Sequence, residues 1–168
     1  ANIVPDLISI SKGLTGGFLP MGITLSKEKV FQAFIDDSPK KTFWHGHSFT
    51  ANPLGCAAAN ASLDLLENEP QKYLSFQERH FFHLTKLSKL PFVKRLRCIG
   101  TIAAFDLDLG DHKGYFNNIG KEIKRLSIEK GLFIRPLGNV IYLLPPLCIT
   151  DEQLDKSYSI IKEILKEL

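Results

Sequence analysis

The feature that most constrains the fold is a glycine-rich run near the beginning of the sequence. Four glycines and one proline fall within residues 13–22. Glycine loses more backbone freedom in a helix than any other residue, and proline removes a helical hydrogen bond, so this run predicts an irregular turn. Short apolar segments at residues 7–10 and 22–25 flank it and favour strands. We expect the first of these strands to be buried.

Composition and charge exclude several classes of protein. The 168 residues are 44% hydrophobic and 23% charged, as in globular proteins, and no apolar run reaches the roughly 20 residues that span a bilayer. The net charge of +3 is too small to favour a nucleic-acid partner. The three cysteines lack paired spacing, which predicts mostly buried free thiols in a cytoplasmic protein and no metal site.

Helical patterns occupy the middle of the chain. Asn52 and Pro53 have the residue types of a helix N-cap and first turn. The spacing of the following residues predicts a buried stripe made of Leu54, Ala58, Ala61 and Leu65. A second helical pattern follows Pro70, and we expect its histidines, His80 and His83, at the surface.

The last part of the sequence alternates strand and helix patterns, which indicates a compact α+β module over residues 91–168. Gly131 has the position of a residue that ends a helix, and Thr150 with Gln153 has the pattern of a capping box. Strands are predicted near residues 93–98, 102–107, 132–135 and 140–143, and helices near 117–130 and 151–167.

Three segments carry residues that could perform chemistry. Lys12 ends the first predicted strand, where loss of hydration would favour the neutral, nucleophilic amine that reacts with a carbonyl cofactor; a solvated loop lysine is the alternative. The loop 45–48 (HGHS) offers imidazoles, a hydroxyl and a glycine for close approach to a ligand, or is an ordinary loop packed by aromatic residues. Arg135 follows an apolar segment and could clamp a carboxylate, or be a surface residue at a turn.

A P-loop does not explain the first of these segments. A P-loop places its lysine after the glycines and before a helix. Here Lys12 precedes the glycines, and a predicted strand follows them. The loop 45–48 likewise has no third ligand at a spacing that would suggest a metal site.

Four segments together resemble the class III, or ornithine-type, aminotransferases. They are residues 11–17 (SKGLTGG), 45–49 (HGHSF), 52–58 (NPLGCAA) and 134–146 (IRPLGNVIYLLPP). Each segment alone is weak evidence for the family, but all four occur in the family's order and with its approximate spacing. The resemblance implies the α/β fold of the type I pyridoxal-phosphate transferases.

The resemblance also implies a domain organisation. Residues 1–70 would be the end of the large cofactor-binding domain, 71–90 a connecting helix, and 91–168 the small C-terminal α+β domain. Family chains are more than twice this length, so we expect a C-terminal fragment. The phosphate cradle, the aromatic residue that stacks on the cofactor ring and the acid that pairs with the ring nitrogen would precede it. The isolated 168 residues are therefore expected to be inactive and to hold no ordered cofactor.

Functional roles carried over from the family fall on five residues. Lys12 resembles the lysine that holds pyridoxal 5′-phosphate covalently and moves the proton during amino transfer. His47 and Ser48 resemble the pair that touches the cofactor phosphate from the neighbouring subunit of a homodimer. Gly46 resembles a substrate-contacting position, and Arg135 resembles the clamp for the substrate carboxylate.

Within the family, the motifs are most similar to the members of biotin biosynthesis that use S-adenosylmethionine as the amino donor. Those members usually carry Pro-Thr where this chain has His47-Ser48, and His-Gly-His also occurs in ω-amino acid aminotransferases. An ω-amino acid or diamine aminotransferase is therefore a second hypothesis. A non-catalytic domain that dimerises or binds a partner is a third. The enzyme hypotheses imply small-molecule substrates.

Overall fold

The computed structural model describes residues 3–110 and 118–168. It divides into two compact units, the first ending at Glu69 and the second beginning at Pro70. Residues 71–90, expected to form a connecting helix, lie in the second unit and form two helices, α3 (Pro70–Leu74) and α4 (Phe76–Leu87). Among the residues that the structure describes, helices are too short or too polar to cross a bilayer.

The first unit begins with a two-stranded antiparallel hairpin. Strand β1 (Leu7–Ile10) pairs with β2 (Ile23–Ser26), with Ile10 opposite Ile23. The glycine-rich run joins them as an irregular turn that starts with one 3-10 turn, as predicted. The prediction that β1 is buried is wrong: its residues are exposed, apart from the half-buried Ile10. A two-stranded hairpin covers neither of its faces, so a strand in it is buried only where another element packs on it.

Helix α2 (Pro53–Asn68) follows a short helix, α1 (Glu28–Gln32), and a long loop. The Asn52 side chain caps it by accepting a hydrogen bond from the Gly55 amide at 2.7 Å, as the sequence predicts. The predicted stripe is wrong, because Leu54 and Leu65 are exposed, Ala58 is half-buried and Ala61 is exposed.

The face of α2 that is buried is the one with the smallest side chains. Gly55 and Ala59 are its buried residues. A Cβ atom at Gly55 would lie 3.1 Å from the Met21 sulfur, and one at Gly16 would lie 3.7 Å from the Ser62 hydroxyl. Helix α2 lies so close to the glycine-rich turn that only small side chains fit between them. This closeness, and not the size of the apolar residues, determines which face of α2 is buried.

The second unit has a three-stranded antiparallel sheet in the order β3 (Val93–Ile99), β4 (Ile102–Leu107), β5 (Val140–Leu143). Helices α4, α5 (Ile119–Glu129) and α6 (Asp151–Glu167) contribute buried residues to one core with the sheet. The central strand is the most buried, with every residue from 103 to 107 inside. The largest fully buried side chains of this core are Leu84, Leu87, Phe105, Leu107, Ile123, Ile141, Leu154, Ile161, Ile164 and Leu165.

Most elements predicted for residues 91–168 are confirmed. The strands near 93–98, 102–107 and 140–143 and both helices form, the Thr150–Gln153 capping box is present, and Gly131 has φ 80°. Residue 117, the predicted start of α5, lies outside the described residues. The strand predicted at 132–135 is wrong, because this segment joins no sheet. The Leu132 amide instead donates to the Ser127 carbonyl at 2.8 Å and closes the end of α5.

The two histidines of α4 are buried, so their predicted surface position is wrong. His80 Nδ1 lies 2.7 Å from the Tyr158 hydroxyl, and its Nε2 lies 3.1 Å from the Thr101 carbonyl oxygen. His83 Nε2 lies 3.0 Å from Asp155 Oδ1, and its ring stacks on Tyr158 with 4.3 Å between centroids. Helix α6 covers this face of α4. Tertiary packing that the helical pattern does not reveal therefore buries both imidazoles.

The three cysteines are free, as predicted, but they are not mostly buried. Cys56 and Cys98 are half-buried and Cys148 is exposed. Apolar neighbours in sequence therefore did not predict the environment of these thiols.

Candidate functional site

Lys12 lies where β1 ends and the glycine-rich turn begins. Its φ of 48° places it in the left-handed region, which residues with a Cβ atom seldom adopt. The flanking backbone holds this conformation, because the Leu14 amide donates to the Ser11 carbonyl at 3.2 Å and the Ser11 hydroxyl donates to the Met21 carbonyl at 3.2 Å. A strained non-glycine residue in a turn so rich in glycine suggests a role for the side chain itself.

The Lys12 side chain is exposed, so the expected loss of hydration at its amine is not produced by the residues described. Within residues 3–110 and 118–168, the amine makes no ion pair and no side-chain hydrogen bond. It is therefore available to react or to bind. The expectation of a buried environment rested on a buried β1, and that strand is exposed.

The loop that carries Gly46, His47 and Ser48 leads into the N-terminus of α2. The His47 amide donates to Thr50 Oγ1 at 3.2 Å, the Thr50 amide donates to the His47 carbonyl at 3.0 Å, and the Phe49 amide donates to His47 Nδ1 at 3.2 Å. These bonds fold residues 47–50 into a closed turn that does not depend on a core. His47 therefore acts mainly on its own loop in this conformation.

The rest of the loop leaves polar groups open for a ligand. A Cβ atom at Gly46 would meet nothing within 4 Å, and Ser48 is exposed. Phe43, Trp44 and Phe49 are exposed as well, but they contact their own segment. Phe43 lies 5.6 Å from His45 and Phe49 lies 6.5 Å from His47 between ring centroids.

An ion pair stands before this loop in the sequence. Asp36 accepts a hydrogen bond from Lys41 Nζ at 2.6 Å and another from the Ser38 amide at 2.8 Å. Both donors stabilise the carboxylate and lower the pKa of Asp36, the lysine contributing more. The segment between residues 36 and 41 is thus closed on itself.

Arg135 lies in the second unit, between the buried Ile134 and the half-buried Pro136. Its side chain is exposed and has no ion pair or hydrogen bond with the part of the chain that the structure describes. The turn that follows is tightly closed, because Leu137 and Val140 exchange backbone hydrogen bonds of 2.9 and 3.0 Å. The guanidinium fork is therefore open to a ligand and stands next to a rigid turn.

The structure thus places Lys12 and residues 46–48 in the first unit and Arg135 in the second. In the described part of the first unit, no hydrogen bond joins Lys12 to the 46–48 loop. Groups of three or more histidines, cysteines or acidic residues able to hold a metal ion are absent from the described residues. The described residues thus present an exposed amine and an open hydroxyl-bearing loop in the first unit, and an exposed guanidinium in the second.

A model of the family described as "Aminotransferase class-III" matches residues 1–165. This chain belongs to the class III aminotransferases. The family and its solved members imply pyridoxal phosphate as the cofactor and an α/β fold, of which this chain is a part.

Several curated relatives carry the same name. The chain is 48% identical over 168 residues to the adenosylmethionine-8-amino-7-oxononanoate aminotransferase of Synechococcus elongatus, covering 100% of this chain and 39% of the relative. It is 41% identical over 164 residues to the Geobacter sulfurreducens enzyme of the same name, covering 91% of this chain and 35% of the relative. The chain therefore spans less than half the length of the class III aminotransferases that it matches.

Solved aminotransferases share the fold. The adenosylmethionine-8-amino-7-oxononanoate aminotransferase of Methanocaldococcus jannaschii matches with a TM-score of 0.83 and 33% identity, over 95% of this chain and 39% of that one. An amine transaminase from an uncultivated Pseudomonas species, solved with pyridoxal phosphate bound, matches with a TM-score of 0.84 and 26% identity, over 97% and 38% of the two chains.

Two residues near Arg135 were missed by sequence reasoning. Gly120, on α5, packs against the turn after Arg135, and Asn139, in that turn, donates a hydrogen bond to Leu107 of β4. A glycine one residue into a helix, where it weakens the helix, was a detectable signal of close packing. Asn139 carried the weaker signal of a Gly-Asn pair between an apolar segment and a strand.

Proposed function

We propose that the whole protein is a pyridoxal-phosphate-dependent aminotransferase of biotin biosynthesis. It would transfer the amino group of S-adenosylmethionine to 8-amino-7-oxononanoate and so form 7,8-diaminononanoate. The observation that carries the proposal is the strained, exposed Lys12 at the start of the glycine-rich turn. The names of relatives that are 48% and 41% identical support the choice of substrates.

The residues present fit the cofactor in two respects. Lys12 offers an amine without a competing ion pair among the described residues, and Ser48 offers an exposed hydroxyl and amide for a phosphate. When bound, pyridoxal phosphate supplies an aldehyde for the amino group and a ring that withdraws electrons. In this proposal Lys12 Nζ would hold the cofactor covalently until the amino group of the substrate takes its place, and the amine freed in this way would move a proton to and from the substrate carbon.

The 46–48 loop acts in the proposal across a homodimer. His47 and Ser48 would hold the cofactor phosphate of the neighbouring subunit, and Gly46 would let the substrate approach the backbone closely. The closed turn of residues 47–50 supports this role, because it orients the loop before any ligand arrives. The proposed location is the cytoplasm.

Arg135 would bind the carboxylate of the substrate. Guanidinium forms two parallel hydrogen bonds with a carboxylate, which a lysine cannot reproduce. The open side chain of Arg135 supports this role.

The aromatic residue that stacks on the cofactor ring and the acid that pairs with the ring nitrogen are expected outside residues 1–168. The chain alone should therefore show no aminotransferase activity.

The decisive test replaces Lys12 in the whole protein. We expect Lys12→Ala to lower kcat by more than about 10²-fold, since acid–base catalysis alone contributes about 10²–10⁴-fold. The same variant should lose the visible absorbance of covalently bound cofactor. Lys40→Ala, which removes another exposed lysine of the first unit, is the matched control and should change neither. Normal turnover in Lys12→Ala would refute the assignment.

The amino donor is tested separately. His47 lies in a His-Gly-His sequence that also occurs in ω-amino acid aminotransferases, so that activity is the second candidate. The whole protein should convert 8-amino-7-oxononanoate with S-adenosylmethionine and not with β-alanine or putrescine. Preference for either of the latter two would support the second candidate and leave the role of Lys12 intact.

A further inference from the structure

The turn that follows Arg135 is held from two sides by residues that would not themselves touch a substrate. It comprises Pro136, Leu137, Gly138 and Asn139, and its Gly138 has φ 62°. Gly138 and Asn139 are buried although both lie in a turn. Because the turn is buried, packing fixes its position, and the backbone of Arg135 beside it is fixed as well.

Helix α5 contacts the turn through Gly120. A Cβ atom at Gly120 would lie 2.3 Å from the Gly138 carbonyl oxygen and 3.1 Å from Pro136 Cβ. The first of these is a backbone atom and cannot move as the end of a flexible side chain can. Any residue larger than glycine must therefore push the turn away from α5. Helix α5 itself is anchored in the core by Ile123.

Strand β4 holds the other side of the turn through Asn139. The Asn139 side-chain amide donates to the Leu107 carbonyl at 2.9 Å, and the Leu107 amide donates to the Asn139 carbonyl at 2.9 Å. This two-way link ties the turn to the last residue of the most buried strand in the sheet. Loss of the amide would leave the buried Leu107 carbonyl without this donor.

We propose that Gly120 and Asn139 are positioning residues that fix the direction in which Arg135 presents its guanidinium to the substrate carboxylate. The inference rests on the proposed function of Arg135. A bidentate arginine–carboxylate contact is sensitive to direction, and a displacement of about 1 Å near a reacting substrate can lower a rate by about 10²-fold. Two contacts therefore link the core to Arg135: the packing of Gly120 against the turn and the hydrogen bonds between Asn139 and Leu107.

The test measures carboxylate preference in the whole protein. This preference is the ratio of kcat/KM for 8-amino-7-oxononanoate to kcat/KM for the analogue in which a carboxamide replaces its carboxyl group. Arg135→Ala should lower the preference by about 10–100-fold, from the loss of charged hydrogen bonds. Asn139→Asp and Gly120→Ala should each lower it by about 10-fold while Arg135 is still present. A purely structural role would lower both kcat/KM values together and leave the ratio unchanged.

Matched controls separate position from chemistry. Asn60→Asp makes the same change on the exposed surface of α2, and Lys121→Ala introduces alanine beside Gly120 on the exposed side of α5. Both should keep the preference of the unmodified protein. If Asn139→Asp fails to fold, Gly120→Ala tests the same turn from its other side.

A double-mutant cycle distinguishes the outcomes. In an Arg135→Ala background, Asn139→Asp should lower the preference no further, because the group it positions is gone. An unchanged preference in Asn139→Asp and Gly120→Ala, with a large loss in Arg135→Ala, would overturn the positioning roles and keep the clamp. An unchanged preference in Arg135→Ala would overturn the clamp and the positioning roles together.

Discussion

The two units of this chain use apolar side chains in opposite ways. The first unit buries only Leu14 and Ala59 among its described apolar residues, while large side chains such as Phe18, Trp44 and Leu54 are exposed. The second unit buries a continuous cluster between its sheet and three helices. The proposed cofactor-binding residues therefore stand on turns held by local hydrogen bonds, whereas Arg135 stands beside a packed core.

This difference shows what each part of the site depends on. Lys12 and the 46–48 loop are positioned by bonds between residues near in sequence, such as Thr15 Oγ1 with the Leu19 backbone at 2.6 and 3.2 Å. Arg135 is positioned by residues far away in sequence, among them Leu107. Most large apolar side chains of the first unit are therefore not used to position its site residues.

The largest expected effect comes from separating the units. A polypeptide of residues 70–168 should unfold in one cooperative transition, because it contains the whole core cluster. A polypeptide of residues 1–69 should show no cooperative transition, because it buries too few apolar side chains. Circular dichroism during heating measures both. A sharp transition in the shorter polypeptide would contradict the comparison.

Removing one phenylalanine from each unit sharpens the comparison. Phe105 is 0% exposed in β4, and Phe18 is 81% exposed in the glycine-rich turn. Phe105→Ala should lower the free energy of unfolding by about 3–5 kcal/mol, the usual cost of a large cavity. The matched change Phe18→Ala should alter it by no more than about 0.5 kcal/mol. Urea denaturation of the 168-residue chain measures both, and equal losses would show that the units are packed alike.

Acid should destabilise the second unit through its buried histidines. Burial lowers the pKa of His80 and of His83 from the usual 6.5. The hydrogen bond to Thr101 opposes this effect at His80, and the charge of Asp155 opposes it at His83. Nearby Arg79 lowers both pKa values further, and Lys86 lowers that of His83. Both histidines are therefore neutral in the folded state at pH values where the unfolded chain binds protons.

The sign of the pH dependence follows from these shifts. The free energy of unfolding is highest above the pKa that the histidines have in the unfolded chain, about 6.5. Below that pH it falls by at most about 1.4 kcal/mol per pH unit for each histidine. The fall ends once the pH is below the pKa of the histidine in the folded state. His80→Gln should flatten the pH dependence of urea midpoints, while His45→Gln, on the exposed loop, should not. Stability that rises toward acid would contradict the prediction.

The smallest expected effect is a gain in stability at Lys12. Lys12→Gly relieves a φ of 48° that costs a non-glycine residue about 1–2 kcal/mol, and the added freedom of the unfolded chain cancels about 0.5–1 kcal/mol of this. A net gain of about 0.5 kcal/mol is expected, together with loss of the proposed activity. Lys89→Gly, at a residue without a positive φ, should instead destabilise the chain. A loss of stability in Lys12→Gly would show that the backbone is not strained.

The sequence by itself determined the elements whose signals are local. Glycine and proline require an irregular turn at residues 13–22, Asn52 and Thr150 cap helices through their own side chains, and Gly131 ends α5. The four motifs likewise identified the family and the residues of the proposed site, because they are short and lie in order along the chain.

Only the tertiary structure decided which faces are buried. It placed His80 and His83 inside because α6 covers α4, it turned the smallest side chains of α2 inward, and it left residues 132–135 out of the sheet. It also brought Gly120 and Asn139 to the turn after Arg135. Burial depends on which element packs against a face and on how close the two backbones come. The hydrophobic periodicity of a single element reveals neither.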